Sequence, residues 1–354
     1  MKTILIMAGG TGGHIFPGLA VAEQMRSAGW EVAWMGARGG MEERLVPQHG
    51  YRTAWIRARA ARGKGLMQKL LLPFNLLVAF WESARQIRRL RPDVVLGLGG
   101  YVAFPGGMMA SLLNKPLALH EQNAVAGLAN RVLAGLSDKA MVAFPEALKG
   151  AEWTGNPVRA EIAAIPAPEQ RFRARQGTLH ILVAGGSLGA QVLNEVIPKA
   201  IALLQPRPRV VHQSGENHLD TLRKHYREAG VEGELVAFID DMGRRYAEAD
   251  LVIARAGAMT VAELAAGGVA SILVPFPHAV DDHQTANARF LADKGAAVIL
   301  QQKDLTPEGL AALIRSMERP RLVEMAKKAR ALGKPDAARV VAQRCRELVE
   351  MSAP

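Results

Sequence analysis

ILIMAGGTGGHIFPGLAVAEQM (residues 4–25) and HILVAGGSLGAQVLNEVIPKAI (residues 180–201) are two versions of one pattern. In each, an apolar run enters Ala-Gly-Gly-Thr/Ser, a further glycine follows, and a helix-like segment begins. A strand that passes through a glycine turn into a helix is the opening unit of a doubly wound α/β domain. Two such openings, one in each half of the chain, predict two domains of the same kind in tandem.

The rest of the chain fits that frame. Strand-like runs include EVAWMG, DVVLGLG, PLALHEQ and KAMVAF in the first half. RVVHQSG, ELVAFI, LVIARAG, ASILVPF and AAVIL follow in the second. Helix-patterned segments such as 125–136, 192–204, 218–229 and 260–266 lie between them, and this alternation predicts parallel sheets covered by helices. NPVRAEIAAIPAPEQRFRARQG (156–177) is rich in proline and charge and lacks a strand, so it reads as a linker. The expected organisation is an N-terminal Rossmann-like domain over 1–158 and a C-terminal one over 159–335. The last helix, 336–350, lies beyond the second sheet and is expected to pack back on the first domain with the rest of 336–354.

Composition bounds the function. The chain has 354 residues, 49% of them apolar and 22% charged, which is ordinary globular usage. Cys345 is the single cysteine, so no internal disulfide framework exists and a reducing compartment is expected. Residues 1–8 run straight into a glycine turn and read as a first strand rather than a signal peptide. No apolar run is long enough to span a bilayer. The net charge of +11 calls for an anionic partner: nucleic acid, anionic lipid or a phosphorylated substrate. Nucleic acid fits poorly, because four tyrosines and nine phenylalanines show no aromatic–basic interleaving.

Both glycine loops should sit where a helix N-terminus offers free N–H groups to a phosphate. Neither matches G-x-G-x-x-G or a P-loop in full. GGSLG (185–189) does fit the nucleophile elbow G-x-S-x-G, with Asp250 and His283 following in triad order, so a serine hydrolase built on Ser187 is one alternative. Metal motifs are poor. His120-Glu121 opens like H-E-x-x-H, but position 124 is alanine, and no D-x-D occurs. No protein-held metal is expected, with a Mg²⁺ carried on a diphosphate left open. Further on, ARAGAMTVAELAAGG (254–268) is a strand end, a turn and a helix start. Its Glu263 suits a ribose diol, although Thr260 and Glu263 also fit a capping box. VPFPHAVDDHQTANA (274–288) crowds His283, Gln284 and Asn287 into one helix start.

GGTGGHIFPG, GGYVAFPGG, HEQNAVAGLANR, TGNPVR, GGSLGAQVLNE, FIDDM, RAGAMTVAEL and VPFPHAVDDHQTANA occur in this order across nearly the whole chain. Together they resemble the MurG family of peripheral N-acetylglucosaminyltransferases. One departure is Ala270, where that family usually has proline.

The resemblance implies a GT-B fold, two Rossmann-like domains facing a cleft. It implies UDP-N-acetylglucosamine as donor and undecaprenyl-diphospho-N-acetylmuramoyl-pentapeptide as acceptor. The acceptor C4 hydroxyl would displace UDP in one inverting step. Ile239 would meet the uracil through its backbone and Glu263 the ribose. Ser187, Ala258, Met259 and Thr260, with Val261 and Ala262 of the same helix start, would hold the diphosphate, and Arg159 would add charge. Gln284 and Asn123 would read the sugar hydroxyls, while Thr11, Gly12 and Gly13 would close over the site. His14, Tyr101, His120 and Asn194 would serve the acceptor. A positioned base typically contributes about 10²–10⁴-fold, and His14 and Glu121 both stand as candidates for that part.

LLLPFNLLVAFW (70–81) is apolar, too short to span and broken by Pro73. Arg57, Arg59, Arg62, Lys64 and Lys69 precede or flank it, and Arg85, Arg88, Arg89 and Arg91 follow, with Glu82 the only acid. That pattern suits an interfacial anchor through Lys69, Leu71, Leu72, Phe74, Leu77, Phe80 and Trp81. The expected location is peripheral, on the cytoplasmic face of a bacterial inner membrane, with other cell-wall synthesis or division proteins as further partners.

Overall fold

The computed structural model describes residues 1–58, 72–186 and 189–351. The chain folds into two compact units, Met1–Arg159 with Asp336–Pro354, and Ala160–Pro335.

The first unit holds a seven-stranded sheet in the order β3-β2-β1-β4-β5-β6-β7. The strands are β1 (Thr3–Met7), β2 (Glu31–Ala37), β3 (Arg52–Ile56), β4 (Val94–Gly97), β5 (Leu117–Glu121), β6 (Lys139–Val142) and β7 (Glu152–Trp153). Every pairing is parallel. Successive residues of β1 feed opposite faces. Ile4 and Ile6 pack with Ile15, Val21 and Met25 of helix Gly12–Ser27, and Leu5 and Met7 pack with Ile87 and Leu90 of helix Leu72–Leu90. A strand buried on both faces must be apolar throughout, which explains the unbroken TILIM run. β3 and β7 were not expected from the sequence. Both are edge strands with partly exposed residues, so neither shows a continuous apolar run.

The terminal helix Ala337–Met351 completes this unit: Val341, Ala342 and Cys345 belong to the same core as Ile4 and Trp34. The Arg344 guanidinium donates Nε and Nη2 to Glu152 of β7 at 2.8–3.0 Å. Arg344 holds the Glu152 carboxyl well below the usual range, at about 2. Burial pushes the Cys345 thiol up to about 12. The native protein should therefore react with an aromatic disulfide only as fast as this helix detaches, and full reactivity should coincide with unfolding. Stoichiometric labelling within seconds under native conditions would contradict this packing.

The second unit repeats the plan with β10-β9-β8-β11-β12-β13. Its strands are β8 (His180–Ala184), β9 (Arg209–Gln213), β10 (Glu234–Val236), β11 (Leu251–Ala254), β12 (Ser271–Leu273) and β13 (Ala297–Ile299), again all parallel. In both sheets the strand order reverses at the first strand, β1 between β2 and β4, β8 between β9 and β11. Each glycine loop thus leaves the carboxyl end of the strand at the switch point, where open α/β sheets bind ligands.

Candidate functional site

The first glycine loop is shaped by two neighbours. Gly10 takes φ +93°, and the Tyr101 ring lies where a Cβ on Gly10 would stand. Gly100, φ +77°, presses so closely on the Gly9 carbonyl that no side chain fits there. Helix Gly12–Ser27 starts at once, with Thr11 as an extended N-cap that makes no side-chain capping bond. The first-turn amides of Gly12 and Gly13 therefore have no capping side chain, as an anion site requires.

His14 sits in that first turn, partly buried. Its Nδ1 lies 3.2 Å from the Gly9 carbonyl and 3.4 Å from the Thr11 hydroxyl. With Nδ1–H donating to Gly9, Nε2 keeps its lone pair. Nε2 lies beside Gly99, in space that a Gly99 Cβ would enter at 3.2 Å. Burial lowers the His14 pKa from its ordinary value of 6.5, against the pull of the Glu121 and Glu42 carboxylates. At neutral pH the imidazole is uncharged and able to accept a proton. Burial and the Glu42 charge push the Tyr101 hydroxyl up, so it remains a donor.

Glu121 ends β5 and is 3% exposed. Oε1 accepts from the backbone N and Nδ2 of Asn123 at 2.8 and 3.3 Å. Oε2 accepts from Asn130 Nδ2 at 2.8 Å and from Gly127 N at 3.4 Å. Four N–H groups thus converge on one buried carboxylate. That geometry makes Glu121 an organiser of the 121–130 turn, with its lone pairs already engaged. Asn130 was missed in the sequence; its amide also lies 3.5 Å from the position of a Gly99 Cβ, on the His14 side.

His120 contradicts its assignment to the acceptor. It is fully buried, with Nε2 2.9 Å from the Gly155 carbonyl and Nδ1 3.1 Å from Gln122 Nε2. Burial lowers its pKa to about 4, so it is a neutral core histidine with both nitrogens used. Asn194 is corrected on the same ground. It is 2% exposed, donates to the Ser214 carbonyl at 3.1 Å and accepts from His212 at 3.0 Å. Its work is to fix the end of β9.

In the second unit, the Gly186 carbonyl accepts from Gly189 N at 2.9 Å and Gln213 Nε2 at 2.8 Å, which closes the second glycine loop. Ser187 lies outside the described residues. Ala258, Met259, Thr260, Val261, Ala262 and Glu263 form the first turns of helix Ala258–Gly267 after β11. The extended N-cap there is Gly257, so Thr260 is inside the helix and the capping box does not form. Glu263 instead turns inward, 8% exposed, and accepts from the Tyr246 hydroxyl at 3.3 Å. Ile239 follows β10, and Gln284 opens helix His283–Ala292, its Oε1 accepting from Phe276 N at 2.9 Å. Asn287 ties that helix to the Ala256 carbonyl at 3.2 Å. All these residues stand at the carboxyl edge of one sheet. Arg159, in the first unit, lies over the Phe16 ring at 6.0 Å.

The hydrolase reading fails on topology. Asp250 precedes β11, where it accepts from Arg175 Nη1 at 2.7 Å and His180 N at 2.8 Å. The 185–189 loop leaves the opposite end of β8, a parallel neighbour paired from Ile181↔Leu251 to Ala184↔Ala254. Strand rise alone separates the two ends by about 13 Å.

Of the apolar patch, Arg59, Arg62, Lys64, Lys69 and Leu71 lie outside the described residues, as does the Leu72 side chain. Phe74, Leu77 and Trp81 are 62–66% exposed along one face of helix Leu72–Leu90. Phe80 is half-buried, its ring centroid 6.0 Å from that of Phe104. Arg57 pairs with Glu82 at 3.1 Å, which neutralises the one acid, and Arg85 lies over Trp81. Leu112, Leu128 and Val132, also exposed, were missed. Leu128 and Val132 carry an i, i+4 signal within a helix too short to show full periodicity. No described helix is long and apolar enough to cross a membrane.

Comparison with known proteins bears on the family and the fold. Residues 4–142 match the glycosyltransferase family 28 N-terminal domain and residues 180–341 its C-terminal domain. A UDP-N-acetylglucosamine--N-acetylmuramyl-(pentapeptide) pyrophosphoryl-undecaprenol N-acetylglucosamine transferase of Aromatoleum aromaticum is 65% identical, over 98% of each chain. Its counterpart in an Azoarcus species is 62% identical over 99% of each. The crystal structure of Acinetobacter baumannii MurG superposes with a TM-score of 0.86 at 42% identity, covering 98% of this chain and 100% of that one. The calicheamicin glycosyltransferase CalG4, at 15% identity and a TM-score of 0.68, shares the fold.

Proposed function

This chain belongs to the MurG family within glycosyltransferase family 28, and from that premise we propose how its residues divide the reaction. The enzyme moves N-acetylglucosamine from UDP-N-acetylglucosamine to the C4 hydroxyl of undecaprenyl-diphospho-N-acetylmuramoyl-pentapeptide, turning lipid I into lipid II in peptidoglycan synthesis. The observation that carries this is 65% identity along essentially the full length of both chains.

In the proposed scheme the second unit holds the donor. Backbone amides at the start of helix Ala258–Gly267 and in the 185–189 loop, with Ser187, take the diphosphate, and Arg159 adds charge. Ile239 meets the uracil, Glu263 the ribose, and Gln284 with Asn123 the sugar. Gln284 is suited to this because its Oε1 is engaged by Phe276 N, which fixes the carboxamide. The acceptor C4 oxygen attacks the anomeric carbon as the bond to UDP breaks, so α becomes β. The hydroxyl proton passes to His14 Nε2, and the electron pair leaves on the diphosphate, where fixed amides meet the growing charge. Tyr101 and the Thr11–Gly13 turn frame the acceptor. Glu121 orients the turn that carries Asn123. The scheme uses no protein-held metal.

The test is release of UDP on mixing the enzyme with UDP-N-acetylglucosamine and a lipid-linked muramoyl-pentapeptide. Release that depends on the acceptor is the expected result. No release with that acceptor would refute the transferase reading.

Phe74, Leu77 and Trp81, exposed on a helix that also carries Arg85, Arg88 and Arg89, form the proposed contact with an anionic membrane, with the exposed Leu112, Leu128 and Val132 as further candidates for it. That contact would make the enzyme peripheral on the cytoplasmic face, within reach of other cell-wall proteins. Each basic group near such a surface contributes about 1 kcal/mol. Leu77→Ser with Trp81→Ser should abolish most binding to anionic vesicles while turnover of a short-chain, water-soluble acceptor persists. Unchanged vesicle flotation would remove this surface from the account.

A further inference from the structure

Glu42 follows β2 in the unremarkable stretch GARGGMEER (36–44) and is fully buried. Its Oε2 accepts from Gly10 N and its Oε1 from Ala37 N, both at 3.1 Å. A Cβ at Gly9, Gly36 or Gly40 would collide with the Glu42 side chain, so three glycines make its socket. Among the described residues the carboxylate's two oxygens meet backbone N–H groups and no cation, and desolvating an unpaired charge in this way is costly.

We propose that Glu42 is a positioning residue for the transfer, holding the first glycine loop from behind and supplying negative charge to the imidazole of His14. The charge half rests on the His14 reading above. Glu121 approaches His14 from β5 and Glu42 from the segment after β2; Tyr101 is a neutral phenol, and Arg159 stands over Phe16 two residues further along the helix. Glu42 packs against Gly9, whose carbonyl holds His14 Nδ1 at 3.2 Å, and its charge, like that of Glu121, favours the imidazolium that forms when His14 takes the acceptor proton. The stabilisation thus grows as the reaction proceeds, which is what accelerates a step. By fixing Gly10 N, Glu42 also sets the positive φ from which the Thr11–Gly13 amides are presented.

The test compares wild type, Glu42→Gln and Glu42→Asp, by nuclear magnetic resonance titration of the His14 ring, identified by its loss in His14→Ala, and by the pH profile of turnover. Glu42→Gln removes the charge, so His14 should titrate lower by about half a unit or more. The acid limb of turnover should move down with it. Glu42→Asp keeps the charge and shortens its reach, so His14 should titrate near wild type while kcat/KM for the acceptor falls about ten- to hundredfold. Protection of the Cys345 thiol, buried in the core of the same unit as Glu42, serves as the folding control. An unmoved His14 titration in Glu42→Gln, or an equal fall in both variants, would overturn the proposal. A moved titration with an unmoved acid limb would support Glu42's charge effect and refute His14 as base.

Discussion

His14→Ala lowers turnover by about 10²–10⁴-fold and leaves affinity for UDP-N-acetylglucosamine unchanged. The proton acceptor is lost, whereas the groups proposed to grip the nucleotide, Arg159 of the first unit and Ile239, Glu263 and the diphosphate-binding amides of the second, do not include His14. The pH dependence carries a sign. The imidazole must be neutral to accept a proton, and burial holds its pKa below 6.5. Wild-type turnover should therefore stay flat through neutrality and fall only as the pH drops through that lowered value. In His14→Ala the residual rate should lose this limb. Acceptor-dependent UDP release across pH 5–9 reads both features. A variant with wild-type turnover would transfer the role of base elsewhere.

Glu121→Ala produces a different failure: activity and stability fall together. The substitution strands four N–H groups, two from Asn123 and one each from Gly127 and Asn130. Each unsatisfied buried group costs about 1–3 kcal/mol, and water entering the space left behind recovers part of that. A net loss of about 2–4 kcal/mol in the first unit is expected, with turnover reduced at least a hundredfold as Asn123 loses its orientation. Glu121→Gln is the sharper probe. It keeps the shape but turns an NH₂ toward donors, so it too should lower the denaturation midpoint. If it instead kept full stability and left only a residual rate without the acid limb, Glu121 would be the base after all.

Much of this was legible in the sequence, and the reason is local. Strand, glycine turn and helix start are encoded within about twenty consecutive residues, so both switch-point loops could be read directly. Apolar periodicity then supplied eleven of the strands. The half-exposed edge strands escaped because burial alternates along β3 and because β7 is only two residues long, both partly exposed. The Leu72–Leu90 helix shows the same limit on the surface, where composition identified an apolar patch but not that Phe80 is half-buried against Phe104 beside an exposed Trp81.

The candidate site divides along that line. Adjacent residues of a strand point to opposite faces, so His120 and Glu121 cannot both look the same way. Both faces of β5 are covered, and the sequence therefore gives no polarity signal for which face meets His14. Tertiary packing decides it: His120 is spent on Gly155, Glu121 on Asn123, Gly127 and Asn130. Glu42 was invisible for a related reason, since its partners Gly9 and Gly10 come from a different strand–turn–helix unit. The sequence by itself determined the doubled α/β architecture, the family and the kind of ligand, because those depend on short-range patterns. Which polar side chains serve the chemistry and which are consumed holding the loops was decided only by the tertiary structure, because a buried polar group takes its role from partners distant in the chain.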